Sequence, residues 1–394
     1  NQQTQSTFLL VKEPTRGGEK PKTQTKTNQH VIVEFSLQLM NNLIKQNRIE
    51  HAVEATTTTS SSSSSFDLKQ LLDQYLSVLI EHLDGKYLKV TIVAIRCLNG
   101  LLRYHLPSFN AMCADIAKKL FNILKTYSGS SSTILADMKA RGDNFELLMV
   151  CYKLMANLIR DYKTFHLSEE QLKVLLHYVE CNLYDAAKQA SSFNLLKSIM
   201  ARKLECDELN DVLTKVMKLS IQADSISVRL QSRQTILQYM LEYSLGEKRI
   251  QKFIEFYLVQ LNYEYENGRE SALEMIGTMF TTFPLTLLVD NASLFFVPLS
   301  IQLHNDESAK CKKLAWIALK TLLEKLSVDK RDELFSIAMA WFEDERKELH
   351  KRIGSLLTKL FIEVEKSSFE RRIGKVVPLL IKELERNAQQ NVFI

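Results

Sequence analysis

Along most of this chain apolar residues recur at intervals of three and four, the spacing of an amphipathic helix. Ile32, Phe35, Leu39 and Leu43 mark the first such face, and from Phe66 the helical patterning is almost continuous. Residues 1–29 break the pattern: they are rich in Gln, Thr and Lys, with Pro14, Pro21 and Arg16-Gly17-Gly18. A leader this polar cannot bury enough apolar surface to offset the entropy of ordering, so a disordered segment is expected there. Thr56 to Ser65 is a low-complexity loop within the helical span 30–126. Residues 127–143, with SGSSST and ARGDN at their ends, read as a second loop before an array over 144–394.

Laid over one another, the helical segments show a period. LKVTIVAIRCLNGLL, YDAAKQASSFNLLKSIM, DSISVRLQSRQTILQYML, YEYENGRESALEMIGTMFTTFP, NDESAKCKKLAWIALKTLL and ERKELHKRIGSLLTKLF each open on an acidic or polar turn and enter a helix. Aligning the small or apolar residue after each turn gives Val90, Ala187, Val228, Gly268, Ala309 and Leu349, the last five 41, 40, 41 and 40 residues apart. The gap of 97 from Val90 to Ala187 leaves room for the helix NFELLMVCYKLMANLIRDY at 144–162 and the loop before it. Pro298 and Pro378 lie 80 apart, two periods. Two helices per unit of about 40 residues is the signature of a HEAT-type α-solenoid, an all-α superhelix of antiparallel pairs. No pair buries its apolar face alone, so the pairs stack. In this register Ile276 and Leu319 face the core. Val377, Leu380, Ile381 and Leu384 form an apolar face with too few residues after it to supply a partner helix. That face, and a first residue that is Asn1 and not Met, lead us to expect a section of a longer chain, cut within a repeat.

Composition changes this picture little. Forty-five per cent apolar and 25% charged residues are ordinary, and the scarcity of Gly (11) and Pro (6) favours long helices. A net charge of +5 permits contact with RNA or acidic proteins without demanding it. Six dispersed cysteines lack a Cys-x-x-Cys pair, which suits buried thiols in a reducing compartment. No apolar run is long enough to span a bilayer.

The carboxylates of the fourth segment, Glu264, Glu266 and Glu270 around Gly268, look at first like acid/base chemistry. The same arrangement recurs once per repeat, whereas an active site occurs once, so they are read as turn residues. Asp224 with Arg229, Glu266 with Arg269 and Asp306 with Lys310 resemble the acid-to-base tie of HEAT turns. Eight histidines show no metal spacing, Arg16 to Lys20 lacks the spacing of a phosphate loop, and no Gly-x-Ser-x-Gly elbow exists. Met275, Met279, Phe280, Trp316 and Trp341 read as core, the tryptophans with an alternative role as partner anchors. No catalytic, cofactor or metal residue is expected, and no membrane or small-molecule partner. The ladder of bases at Lys188, Arg229, Arg269 and Lys310, extended by Lys312 and Lys313, has two readings. Either it tracks RNA or an acidic partner, or the bases are held by their own turns.

Particular wording goes further than the period. NQHVIVEFSLQLMNNLIK, DNFELLMVCYKLMANLIRDYKTFHLSEEQLKVLLHYVECNLYDAAKQASSFNLLKSIMARKL, QLNYEYENGRESALEMIGTMFTTFP, LFFVPLSIQLHNDESAKCKKLAWIALKTLL and LFSIAMAWFEDERKELHKRIGSLL together resemble the small-subunit processome component 20 family, also described as down-regulated in metastasis. The resemblance runs from about Gln29 to Glu385. It implies a nucleolar, non-enzymatic scaffold of the nucleus. Such a scaffold works with processome proteins, a small nucleolar ribonucleoprotein and pre-rRNA in processing toward 18S rRNA. The family is much longer than this chain, and the Thr/Ser tract departs from its pattern. The alternative from another class is a HEAT-repeat scaffold in nuclear transport or signalling.

Overall fold

A computed structural model describes residues 24–46, 68–128, 138–344 and 346–391. Residues 1–23 of the leader and the whole Thr/Ser tract lie outside these. Among the described residues the structure is helical, without a strand. The fold is all-α and HEAT-like, built of successive helix pairs. It divides into two compact units, Asn1–His166 and Leu167–Ile394.

The first unit contains α1 (Gln24–Lys45), α2 (Leu68–Glu81), α3 (Leu88–Leu101), α4 (Pro107–Ser128) and α5 (Met138–Asp161). Helix α3 is its centre, packed on α1, α2 and α5, and buries an almost unbroken run from Val90 to Ile95. The face expected on α1 is not the one that packs: Leu37 and Ile44 are buried, while Ile32, Phe35 and Leu39 are more than half exposed. The helix carries apolar residues on both sides, so periodicity alone could not choose between them. The loop expected at 127–143 is also narrower among the described residues. Helix α4 runs through Tyr127, whose hydroxyl donates to the Gly85 carbonyl at 3.0 Å, and α5 begins at Met138 among good helix formers. Helix α5 belongs to this unit, although the sequence expectation grouped it with the later array.

The second unit is a run of pairs: α6 (Glu169–Asn182) with α7 (Gln189–Ala201), then α8 (Asp207–Gln222) with α9 (Ile226–Glu242), then α10 (Glu247–Val259) with α11 (Glu266–Thr282). A short α12 (Leu285–Asp290) leads into α13 (Ala292–Asn305), which pairs with α14 (Ala309–Lys325). Next come α15 (Val328–Phe342) with α16 (Glu348–Glu365), and finally α17 (Ile373–Asn391). Second helices also pack on the next second helix, α7 on α9, α9 on α11, α11 on α14 and α14 on α16. Helix starts follow local chemistry. Ser168 and Gln171 form a reciprocal capping box on α6, and Ser308 and Ser327 cap α14 and α15. Leu209, Val212, Leu213 and Val216 show the core stripe of α8, each side chain stabilising by about 1.5–3 kcal/mol when fully buried.

Ile276 and Leu319 are both fully buried, as are Met275, Met279 and Phe280. Trp316 and Trp341 are only half-buried, and the Lys359 ammonium sits 5.7 Å above the Trp316 ring. On α17, Val377, Leu380, Ile381 and Leu384 are exposed, while Val376 is buried. Glycine is needed where helices approach closely: a Cβ on Gly354 would lie 2.6 Å from the Phe342 backbone nitrogen, and one on Gly268 would lie 2.2 Å from the Tyr263 ring.

Candidate partner-binding surfaces

The ladder bases have separate fates, which begin with the carbonyls left open at the end of a helix. Arg229, buried at the start of α9, donates from Nη1 to the carbonyls of Ala223 (2.7 Å) and Asp224 (3.0 Å), just past the end of α8. Arg269, 40 residues later, does the same to Tyr263 (3.1 Å) and Glu264 (3.0 Å). The expected Asp224–Arg229 carboxylate tie is therefore a tie to the Asp224 backbone. The expected Glu266–Arg269 pair is replaced by a longer reach: Arg269 grips Asp306 of the next repeat through Nε (2.9 Å) and Nη2 (3.0 Å). The rigid guanidinium fork has donors enough for both tasks.

Asp306 is fully buried as a side chain. Burial alone would raise its carboxyl, but hydrogen bonds from Arg269, from the Ser308 N–H and from Gln302 outweigh it and hold the pKa below the usual range. With Asp306 committed to Arg269, Lys310 turns to Glu270 of the preceding repeat at 2.5 Å, not to Asp306 as expected. Glu266 accepts from the Ser308 hydroxyl at 2.5 Å. All three interactions run between repeats, so the carboxylates around Gly268 join neighbouring units. Lys188 precedes α7 and meets Asp185 at 3.2 Å. At the equivalent positions Thr91 donates to the His82 carbonyl and His350 meets Asp344.

Of the wider basic set, Lys351 pairs with Glu383. Arg371 and Arg372 each bridge Asp332 and the buried Glu365, where Arg372 also lies 4.1 Å over the Phe335 ring. Lys312 and Lys313 differ: they lie near the start of α14, and among the described residues neither meets a carboxylate.

A second cationic cluster escapes the period-based reading. Lys248, Arg249 and Lys252 rim a groove of about 420 Å³ between α8 and α10, floored by Leu213, Met217 and Phe253. Arg249 reaches across it to the Asn210 side-chain oxygen and lies 5.7 Å over the Tyr239 ring. A signal was legible. Cations in the first turn of a helix oppose its dipole, a placement that costs a few tenths of a kcal/mol and that local stability does not explain.

Reactive chemistry is absent from the well-buried thiols. Burial pushes Cys97 up to about 12 and Cys113 up to about 11, so both stay protonated at neutral pH. Cys151 and Cys311 are buried too, whereas Cys181 is exposed and Cys206 half-exposed. Among the described residues no group of three His, Cys, Asp or Glu could hold a metal, and no helix is long and apolar enough to cross a membrane.

No protein-family model matches the chain. It is 24% identical over 333 residues to U3 small nucleolar RNA-associated protein 20 of Saccharomyces cerevisiae, an alignment covering 84% of this chain and 12% of that protein. The protein of the same name from Schizosaccharomyces pombe is 25% identical over 226 residues, covering 56% of this chain and 9% of its own length. The chain is thus similar to the U3 small nucleolar RNA-associated protein 20 of two yeasts. This agrees with the resemblance drawn from the wording of its helices, and the chain spans about a tenth of the length of these relatives. Among solved structures, the crystal structure of Kap121p is similar with a TM-score of 0.49 and 11% identity, over 86% of this chain and 40% of that one. That likeness transfers no site.

Proposed function

We propose that the chain forms part of a non-enzymatic scaffold of the small-subunit processome. In this reading it acts in the nucleolus, holding pre-rRNA, a small nucleolar ribonucleoprotein and assembly factors in one arrangement during processing toward 18S rRNA. The observation that carries the reading is sequence similarity to a U3 small nucleolar RNA-associated protein over 84% of the chain. Stacked helix pairs support it by offering extended surface. Of the six ladder cations, Lys312 and Lys313 are the ones proposed to meet RNA or an acidic factor. Lys188, Arg229, Arg269 and Lys310 serve mainly to hold the turns.

The test is sedimentation of the tagged protein from cell extract. The reading expects it to travel with pre-ribosomal particles and to bring U3 small nucleolar RNA with it. Sedimentation at the size of the free protein, without that RNA, would overturn the proposal.

A further inference from the structure

The groove between α8 and α10 is unlike the turn layer in three ways. First, its charge is of one sign. Lys248, Arg249 and Lys252 line it and no carboxylate among the described residues does. Lys248 and Lys252 are exposed and make no ion pair among the described residues. Gly246 leaves the α10 terminus without a side-chain cap, and its positive potential is offset in part by Glu247 in the first turn, outside the groove lining. Second, its floor is apolar and regular. Asn210, Leu213, Thr214 and Met217 lie at i, i+3, i+4 and i+7 on α8, facing Phe253 on α10. Third, it is absent from the adjacent repeats. Forty residues before Lys248, Arg249 and Lys252 stand Glu208, Leu209 and Val212, and forty after stand Leu288, Val289 and Ala292. A cluster absent from neighbouring repeats does not serve the repeat.

We infer that this groove is a docking site for an acidic amphipathic helix of another protein. An apolar side chain of that helix would rest on Met217 and Phe253, while its Asp or Glu residues meet Lys248, Arg249 and Lys252. The floor spans about two helical turns, roughly 10 Å at 1.5 Å per residue, the footprint of one i to i+7 anchor set. Methionine lets the floor adapt to the anchor. Single-stranded RNA suits the site less well. Phe253 is the one aromatic in the lining and its ring already packs edge-on against Tyr239 at 5.9 Å, which leaves no open stacking platform. The cations would steer the partner and the floor would select it.

The proposal rests on the scaffold reading, but its test needs only the purified chain. Labelled acidic helical peptides of roughly 15 residues, about four turns, would be titrated at physiological salt. One carries leucine anchors; a second of equal charge carries alanine in their place. Oligouridine of matching length is the third probe. The leucine peptide should bind at least about tenfold more tightly than the alanine peptide. Lys248→Glu with Lys252→Glu should weaken it about tenfold or more, and Met217→Gln should weaken it several-fold. Circular dichroism melts, and the milder Lys248→Gln with Lys252→Gln, guard against unfolding as the cause. Equal binding of the two peptides, no binding of either, or oligouridine preferred and lost on charge reversal would each overturn the proposal. The scaffold reading fails separately, if the parent protein does not travel with pre-ribosomal particles.

Discussion

The joint between α11 and α14 and the rim of the α8–α10 groove hold the same kinds of residue and use them in opposite ways. At the joint Arg269 and Lys310 each have an acid or a carbonyl within reach, and the principal acid, Asp306, is closed off from water. At the rim no acid among the described residues stands with the three cations in the groove lining. Recurrence separates the two. Arg229 and Arg269 stand one period apart and make matching contacts to the carbonyls of the preceding turn. Lys248, Arg249 and Lys252 have no counterparts one period away. Positive charge that repeats with the fold maintains it, and charge that does not is left for something outside.

The largest effect that would sharpen this contrast lies at Arg269. Replacing it with alanine leaves the Asp306 carboxylate buried without its main partner, which should cost about 3 kcal/mol, read as a shift of the denaturant midpoint. A change below about 0.5 kcal/mol would break the comparison, because the joint would then be no more structural than the rim. Gly268→Ala should come next. Its methyl must displace the Tyr263 ring, and overpacking of about 1–3 kcal/mol set against a helix-propensity gain of about 1 kcal/mol leaves a net loss of up to about 2 kcal/mol in the same assay.

Acid probes the joint in another way. The folded-state pKa of Asp306 is depressed, so its stabilisation is complete above the unfolded-state value of about 3.9. It is lost as the pH falls below that, through the folded value. The stability gap between the parent and Arg269→Ala should therefore narrow between pH 5 and pH 3, as measured by denaturant titrations at each pH. A gap that widens on acidification would show that the Asp306 charge is not what Arg269 supports. Smaller still is Lys310→Gln. Its side chain is 61% exposed, and the melting temperature should stay within error of the parent. The rim should be the least sensitive: Lys248→Gln with Lys252→Gln should alter stability by less than about 0.5 kcal/mol, and a larger loss would make the rim part of the fold.

The sequence showed the period, the pairing of helices and the burial of Ile276 and Leu319, because those follow from apolar spacing that every repeat must satisfy. The carboxylates around Gly268 were read as turn residues, whereas Glu266 and Glu270 stand in the first turns of α11 and reach the next repeat. Their partners were not legible. Arg269 to Asp306, Lys310 to Glu270 and Ser308 to Glu266 all cross from one unit to the next. Such distances depend on how repeats stack, which a pattern read within one repeat does not contain. The face of α1 was misassigned for a related reason: with apolar residues on both sides, only the position of α3 decides which side is covered. The groove escaped notice because a search for recurrence from one repeat to the next passes over what the adjacent repeats lack.

The double grip of Arg269 has a mechanical consequence. One guanidinium holds the end of its own repeat's first helix and the turn of the repeat that follows, so the α10–α11 and α13–α14 pairs share a fastening that neither can release alone. Under tension along the chain these two pairs should let go in a single step, where a loosely joined array would peel away one pair at a time. In a force-extension trace the Arg269→Ala protein would show that step divided in two.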